Sequence, residues 1–112
     1  MRRTFWLVLG VSLAIDSAAA LARGPAVASR YNEIKIPQEQ CLKNAEEAIR
    51  KTGLDSLERT EQSRYGTQGE YTGVVRCIAA NGIVLFIGSG PLRQTADSLA
   101  GALYKNFEGG VH

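Results

Sequence analysis

The chain has 112 residues, 13 Lys plus Arg against 11 Asp plus Glu, a single His, two Cys, and 45% hydrophobic residues. That length makes one small domain and excludes two. A formal net charge of +2 gives no electrostatic reason to expect nucleic acid or an anionic membrane surface as a partner.

At the N-terminus, Arg2 and Arg3 precede the apolar stretch Phe5 to Ile15, which closes on Ser17-Ala18-Ala19-Ala20-Leu21-Ala22. A charged start, an apolar centre and small residues at Ala20 and Ala22 predict a cleaved export signal over residues 1–22. Read instead as a membrane anchor, the apolar stretch falls short of the roughly 20 residues that a span requires. Arg2-Arg3-Thr4-Phe5 resembles a twin-arginine signal, but the short charged region and very apolar centre favour the general secretory route. Removing residues 1–22 takes away Arg2, Arg3 and Asp16 and leaves 11 basic against 10 acidic side chains. The expected location is therefore periplasmic or secreted, with no membrane span after cleavage.

Cys41 and Cys77 both follow the signal, and an oxidising compartment favours joining them. One intramolecular pairing exists, closing a loop worth on the order of 3.8 kcal/mol of denatured-state entropy in the simple chain model. Redox or metal chemistry is the rival reading. No Cys-x-x-Cys and no second ligand set supports it, and the one histidine, His112, is the last residue. No metal and no cofactor is expected.

Residues 23–30 show no period and suggest a flexible lead-in, after which Tyr31 to Ile36 alternates like a short strand ended by Pro37. Cys41, Ala45, Ala48, Ile49 and Thr52 then share a helix face, opened by Pro37 and closed by Gly53. Residues 54–64 alternate loosely as a polar strand, followed by the turn-rich Tyr65-Gly66-Thr67-Gln68-Gly69. Tyr71 to Ile87 contains two β-rich runs around Asn81-Gly82, the preferred dipeptide of a two-residue type I′ hairpin. Leu92, Ala96, Leu99, Leu103 and Phe107 recur at helical spacing after Gly88-Ser89-Gly90-Pro91. The order β-α-β-β-β-α reads as a single α+β domain over residues 31–108, a mostly antiparallel sheet with two helices on one face.

A two-residue turn would set Ala80 opposite Ile83 and Cys77 opposite Phe86. One hairpin face then carries Tyr71, Gly73, Val75, Cys77, Ala79, Val84, Phe86 and Gly88, and it must look towards the helices for Cys77 to reach Cys41. The other carries Thr72, Val74, Arg76, Ile78, Ala80, Ile83, Leu85 and Ile87, and with Val74, Ile78, Ile83, Leu85 and Ile87 together it is too apolar for water. Its cover could be the same face of a second molecule, another envelope protein, an apolar ligand, or residues 23–30 folded back. Alternatively, one helix crosses to that side, or a bulge near Gly73 alters the register. Arg76, set among apolar side chains, needs a partner for its charge.

Catalytic sets are missing. A nucleophile with its base needs a His, Lys, Asp or Glu beside a Ser, Cys or Thr, while here the His is terminal and both Cys are expected to be oxidised. Glu46-Glu47, Glu58 and Glu61 lie among basic residues and read as a solvated face. Gly88, Ser89 and Gly90, ahead of a helix, could present N–H groups to an anion together with Arg93. They lack the lysine of a P-loop and also read as a tight strand-to-helix turn.

A cysteine-bearing first helix, Gly-Glu-Tyr-Thr-Gly-Val-Val-Arg-Cys at 69–77, an apolar strand ending Gly-Ser-Gly-Pro at 88–91, and a final helix together resemble small uncharacterised secreted proteins of proteobacteria. That resemblance spans about residues 38–107 and carries no activity to transfer. The helix-then-strands order with Gly-Glu-Tyr opening the hairpin is also similar to PepSY domains, exported modules associated with inhibiting or chaperoning peptidases. The disulfide and the C-terminal helix depart from that pattern, leaving an analogy of fold only. Together these readings predict a non-enzymatic binding module acting through the 71–87 hairpin face, to itself or to another protein. The alternative is a small-ligand binder or enzyme at Gly88-Ser89-Gly90 and Arg93.

Overall fold

A computed structural model describes residues 24–111; the expected export signal at 1–22 lies outside the described residues. Strand β1 (Ala26–Glu33) is followed by helix α1 (Gln38–Thr52), strands β2 (Asp55–Arg59), β3 (Ser63–Gln68), β4 (Tyr71–Ile78) and β5 (Ile83–Gly90), and helix α2 (Arg93–Asn106). The strands form one antiparallel sheet in the order β1-β5-β4-β3-β2. The α+β class, the antiparallel sheet and the Cys41–Cys77 disulfide stand as the sequence predicts.

Helix α1 keeps the expected bounds. Pro37 is its extended N-cap, Gly53 closes it in the left-handed region at φ 85°, and Cys41, Ala45, Ala48 and Ile49 are its buried face. Each of these roles follows from residue type: proline has no N–H to lose at a helix start, and glycine has no Cβ to clash in the left-handed cap.

Three local expectations are corrected. Residues 26–30 are not a lead-in but the first five residues of β1, paired with β5 from Ala26↔Gly90 onward. Tyr65 to Gln68 is not a turn but most of β3, so the sheet has one strand more than the pattern suggests. Nor is the hairpin turn a two-residue I′ type, which would need positive φ at Asn81 as well as at Gly82. Among the described residues Ser56 is the one non-glycine with positive φ, and the chain turns through a 3-10 element, Ala79–Asn81, before Gly82 at φ 66°. Observed pairs are therefore Ile78↔Ile83, Cys77↔Val84, Arg76↔Leu85 and Val74↔Ile87. This register differs from the expected one by two residues. Because side chains alternate with period two, an even shift leaves the strand residues on their predicted faces, while Ala79 and Ala80, expected to be the last strand residues before the turn, lie in the turn itself.

On the inner face Val75, Cys77, Val84 and Phe86 are fully buried beneath the helices. The Phe86 ring meets Tyr104 and Phe107 edge-on, at centroid distances of 5.7 and 5.4 Å. Cys41 and Cys77 are also fully buried, so the disulfide ties the first turn of α1 to the central strand inside the core. Gln38 clips the end of that strand: its Nε2 donates to the Cys77 carbonyl at 2.8 Å, and its Oε1 accepts from the Ala79 amide at 3.0 Å.

One cross-strand row of the inner face consists of Gly66, Gly73, Gly88 and Ala28. The row makes a trough. A Cβ on Gly66 would sit 2.7 Å from Ile49 and Leu54, one on Gly73 would reach Leu54 at 2.6 Å and Leu103 at 3.0 Å, and one on Gly88 would collide with the Ala96 carbonyl. Helix α2 thus rests with its backbone against the sheet, the close approach that a strand glycine permits. A methyl at Gly88 must push the helix away. Gly88→Ala is expected to lower stability by about 1–3 kcal/mol in urea denaturation, whereas Ser89→Ala, on the opposite face, is expected to change it by less than about 0.5 kcal/mol.

Candidate functional site: the open face of the sheet

Both helices lie on the glycine side, because α1 meets Gly66 and Cys77 while α2 meets Gly73 and Gly88. Among the described residues no helix crosses to the other side, and Gly73 is paired regularly with Gly66 and Gly88 without a bulge. The one irregularity of the ladder falls between Asp55 and Glu58 in β2. Residues 26–30 do not fold back over the open face either; as part of β1 they widen it.

Four cross-strand rows of outward residues follow from the register. Val27, Ser89, Thr72 and Thr67 form the first, Ser29, Ile87, Val74 and Tyr65 the second, Tyr31, Leu85, Arg76 and Ser63 the third, and Glu33, Ile83 and Ile78 the fourth. The structure brings together all six residues expected from the sequence: Val74, Arg76, Ile78, Ile83, Leu85 and Ile87. None of the five apolar ones is buried, although each is partly shielded by its neighbours. Their counterparts one residue away, Val75, Cys77, Val84 and Phe86, have no exposure at all.

Sequence reasoning missed the β1 contribution. Tyr31 is 65% and Val27 56% exposed, and both extend the apolar field beyond β5. The signal was present in the alternation Val27-Ala28-Ser29-Arg30-Tyr31, with small or polar residues between the larger ones. Arg30 points inward, where it lies against Gly101 and pairs with Asp97 at 3.5 Å.

Arg76 is the one charge at the centre of this face. Its Nη2 donates to Gln62 Oε1 at 2.6 Å, and it makes no salt bridge among the described residues. Next in its row, Ser63 is buried with its Oγ lacking a hydrogen-bond partner.

At the second predicted site, Gly88, Ser89 and Gly90 belong to β5 rather than to a turn, and α2 starts at Arg93 after the extended Leu92. Ser89, Gly90 and Arg93 surround an open depression of about 880 Å³ together with Glu70, Thr72 and Pro91. Gly88 is sealed beneath α2 and takes no part in it. Gly90 is covered by the Tyr71 ring, whose hydroxyl accepts from the Leu92 amide at 3.1 Å.

The carboxylates do not converge. Glu46, on α1, accepts from Arg59 Nε and Nη2, both at 3.1 Å, and from Arg64 Nε at 2.8 Å, while Glu47 pairs with Arg50 on the helix surface. Among the described residues no group of three or more His, Cys, Asp or Glu could hold a metal ion, and no helix is long and apolar enough to cross a membrane. No known protein family, curated protein or solved structure matches the chain.

These three bonds to Glu46 fasten α1 to β2 and β3. Hydrogen bonds from Arg59, reinforced by those from Arg64, hold the Glu46 carboxyl below its ordinary pKa. A depressed folded pKa gives stability that is present above the unfolded value of about 4.3 and lost as pH falls through the folded one. Glu46→Gln should therefore cost about 1 kcal/mol at pH 7, with the difference from wild type shrinking below about pH 4 in denaturation curves taken across that range.

Proposed function

We propose that this chain is a non-enzymatic, periplasmic or secreted module that works by binding through the open face of its sheet. The observation that carries the reading is the contrast between the two faces of one hairpin. Helices seal one, and Val74, Ile78, Ile83, Leu85, Ile87 and Tyr31 stand on the other without any cover among the described residues. A half-solvated antiparallel sheet ordinarily alternates apolar with polar. A contiguous apolar patch that departs from this marks an interaction surface.

Location outside the cytoplasm is supported by the charged, apolar and small-residue order of residues 1–22 and by a disulfide, the bond that persists in oxidising compartments. The likeness to secreted proteobacterial proteins, and the more distant one to PepSY domains, points the same way on residue pattern alone.

The face should be separable from the fold. Leu85→Glu and Ile78→Glu, made in the full chain and exported into an oxidising compartment, are expected to shift Tm by only a few degrees. Both should abolish whichever apolar binding the wild type shows, self-association in light scattering or uptake of a solvatochromic apolar dye. Unfolding of Leu85→Glu would instead mark the face as internal core and sink the reading.

A further inference from the structure

The geometry points to a second copy of this chain as the occupant of the open face, seated by a two-fold axis running along β5; this rests on the binding reading above. The argument begins with Arg76. A guanidinium in the middle of an apolar field is costly to cover unless the covering surface answers its charge. Two identical faces can do so only if the axis sets Arg76 against something other than itself.

Sheets packing face to face keep their strands roughly aligned, so the axis can be tested strand by strand. An axis along β4 places Arg76 on its own symmetry mate, two like charges in contact. An axis across the strands through the Tyr31-Leu85-Arg76 row does the same, and one through the Ser29-Ile87-Val74 row sets Arg76 over Thr72 and leaves the charge unanswered. Along β5 the outcome differs. Strand β1 of one copy lies over β4 of the other, and because rotation about a strand keeps each row at its own height, Tyr31 comes over Arg76 and Arg76 over Tyr31.

This pairing is favourable twice. A guanidinium over a tyrosine ring gains a cation–π contact, and Glu33, one outward position further along β1, supplies a carboxylate near the same guanidinium. Tyr31 is also the most exposed large hydrophobic side chain of the described residues. On the axis Ile83, Leu85 and Ile87 each stack on their own mates, an apolar core between the two charged pairs. Such a contact is isologous and closes at two copies.

Its size is in range. Three strands about 4.8 Å apart and eight residues long present a projected patch of roughly 400 Å². The corrugated side-chain surface is larger, nearer the lower end of specific interfaces at about 600 Å² per partner. A dimer that dissociates on dilution is the expected form.

Cysteine placement reads the axis directly, since the native pair is buried and disulfide-bonded. Under mild oxidation Leu85→Cys should form a covalent dimer by itself. Val74→Cys should not, but an equimolar mixture of Val74→Cys with Ser29→Cys should. Arg76→Glu should weaken association at least tenfold in a light-scattering concentration series, and Arg76→Glu with Glu33→Arg should regain most of it. Self-cross-linking of Val74→Cys, or failure of the charge exchange to restore association, would overturn the β5 axis. A monomer at every concentration, with Leu85→Cys uncoupled, would overturn the second copy altogether. In that case, dye binding by the wild type that Leu85→Glu removes leaves the broader binding reading standing.

Discussion

The close seat of the two helices on the trough, α2 over Gly73 and Gly88 and α1 over Gly66, is the constraint from which the rest of the architecture follows. Without side chains in this trough the α2 backbone reaches the sheet, and small residues on its own contact stripe, Ala96 and Ala100, complete the approach. Helix α1 fills the remaining half of the same side, its short residues Cys41, Ala45 and Ala48 lying equally close. Two helices so placed use up the helical segments of a domain of fewer than 90 described residues. Nothing among those residues is left for the second side of the sheet, and the uncovered face is a direct consequence of where the glycines stand.

The fastenings lie on the helical side as well. The disulfide, the Gln38 clip on the end of β4, and the Glu46 carboxylate between Arg59 and Arg64 all join α1 to the strands beneath it. Around the C-terminus, Asn44 donates to the Glu108 carbonyl, and the Val111 amide donates to the Glu33 carbonyl, which ties the end of the chain to β1. These fastenings thus all act on the helical layer, and none of them involves the apolar residues of the open face. A surface so decoupled from the fold can carry a binding pattern without its residues being dictated by core packing.

How far the sequence disclosed this depends on what each glycine does. Periodicity was enough for the two helices, and the alternation of Tyr71 to Ile87 separated the two faces correctly even though the turn was misjudged, because the register error was even. Two of the differences share a cause: in the local pattern Gly66, Gly88 and Gly90 read as turn residues, which makes β3 a loop and the end of β5 an approach to a helix, whereas in the fold these positions are strand and are empty of side chain because a helix or the Tyr71 ring lies on them. Likewise Ala26 to Arg30 looked patternless since Ala28 is small for the same trough and Arg30 is a charged residue on the inner side, pairing with Asp97 at the rim of α2. Close approach between elements is a tertiary fact, and a local pattern cannot distinguish it from a turn.

The same reasoning bears on why the open face carries Arg76 at all. An entirely aliphatic face would associate with any apolar surface, including unfolded chains and the edges of other sheets, and would be a liability in a crowded compartment. One guanidinium held by Gln62 in the centre leaves the apolar contribution of the five aliphatic residues in place but attaches a condition to it. A surface that cannot answer the charge must desolvate it at a cost of several kcal/mol, which is enough to reject weak hydrophobic partners. On the binding reading proposed above, Arg76 would supply the selectivity of this face and the apolar residues around it the affinity.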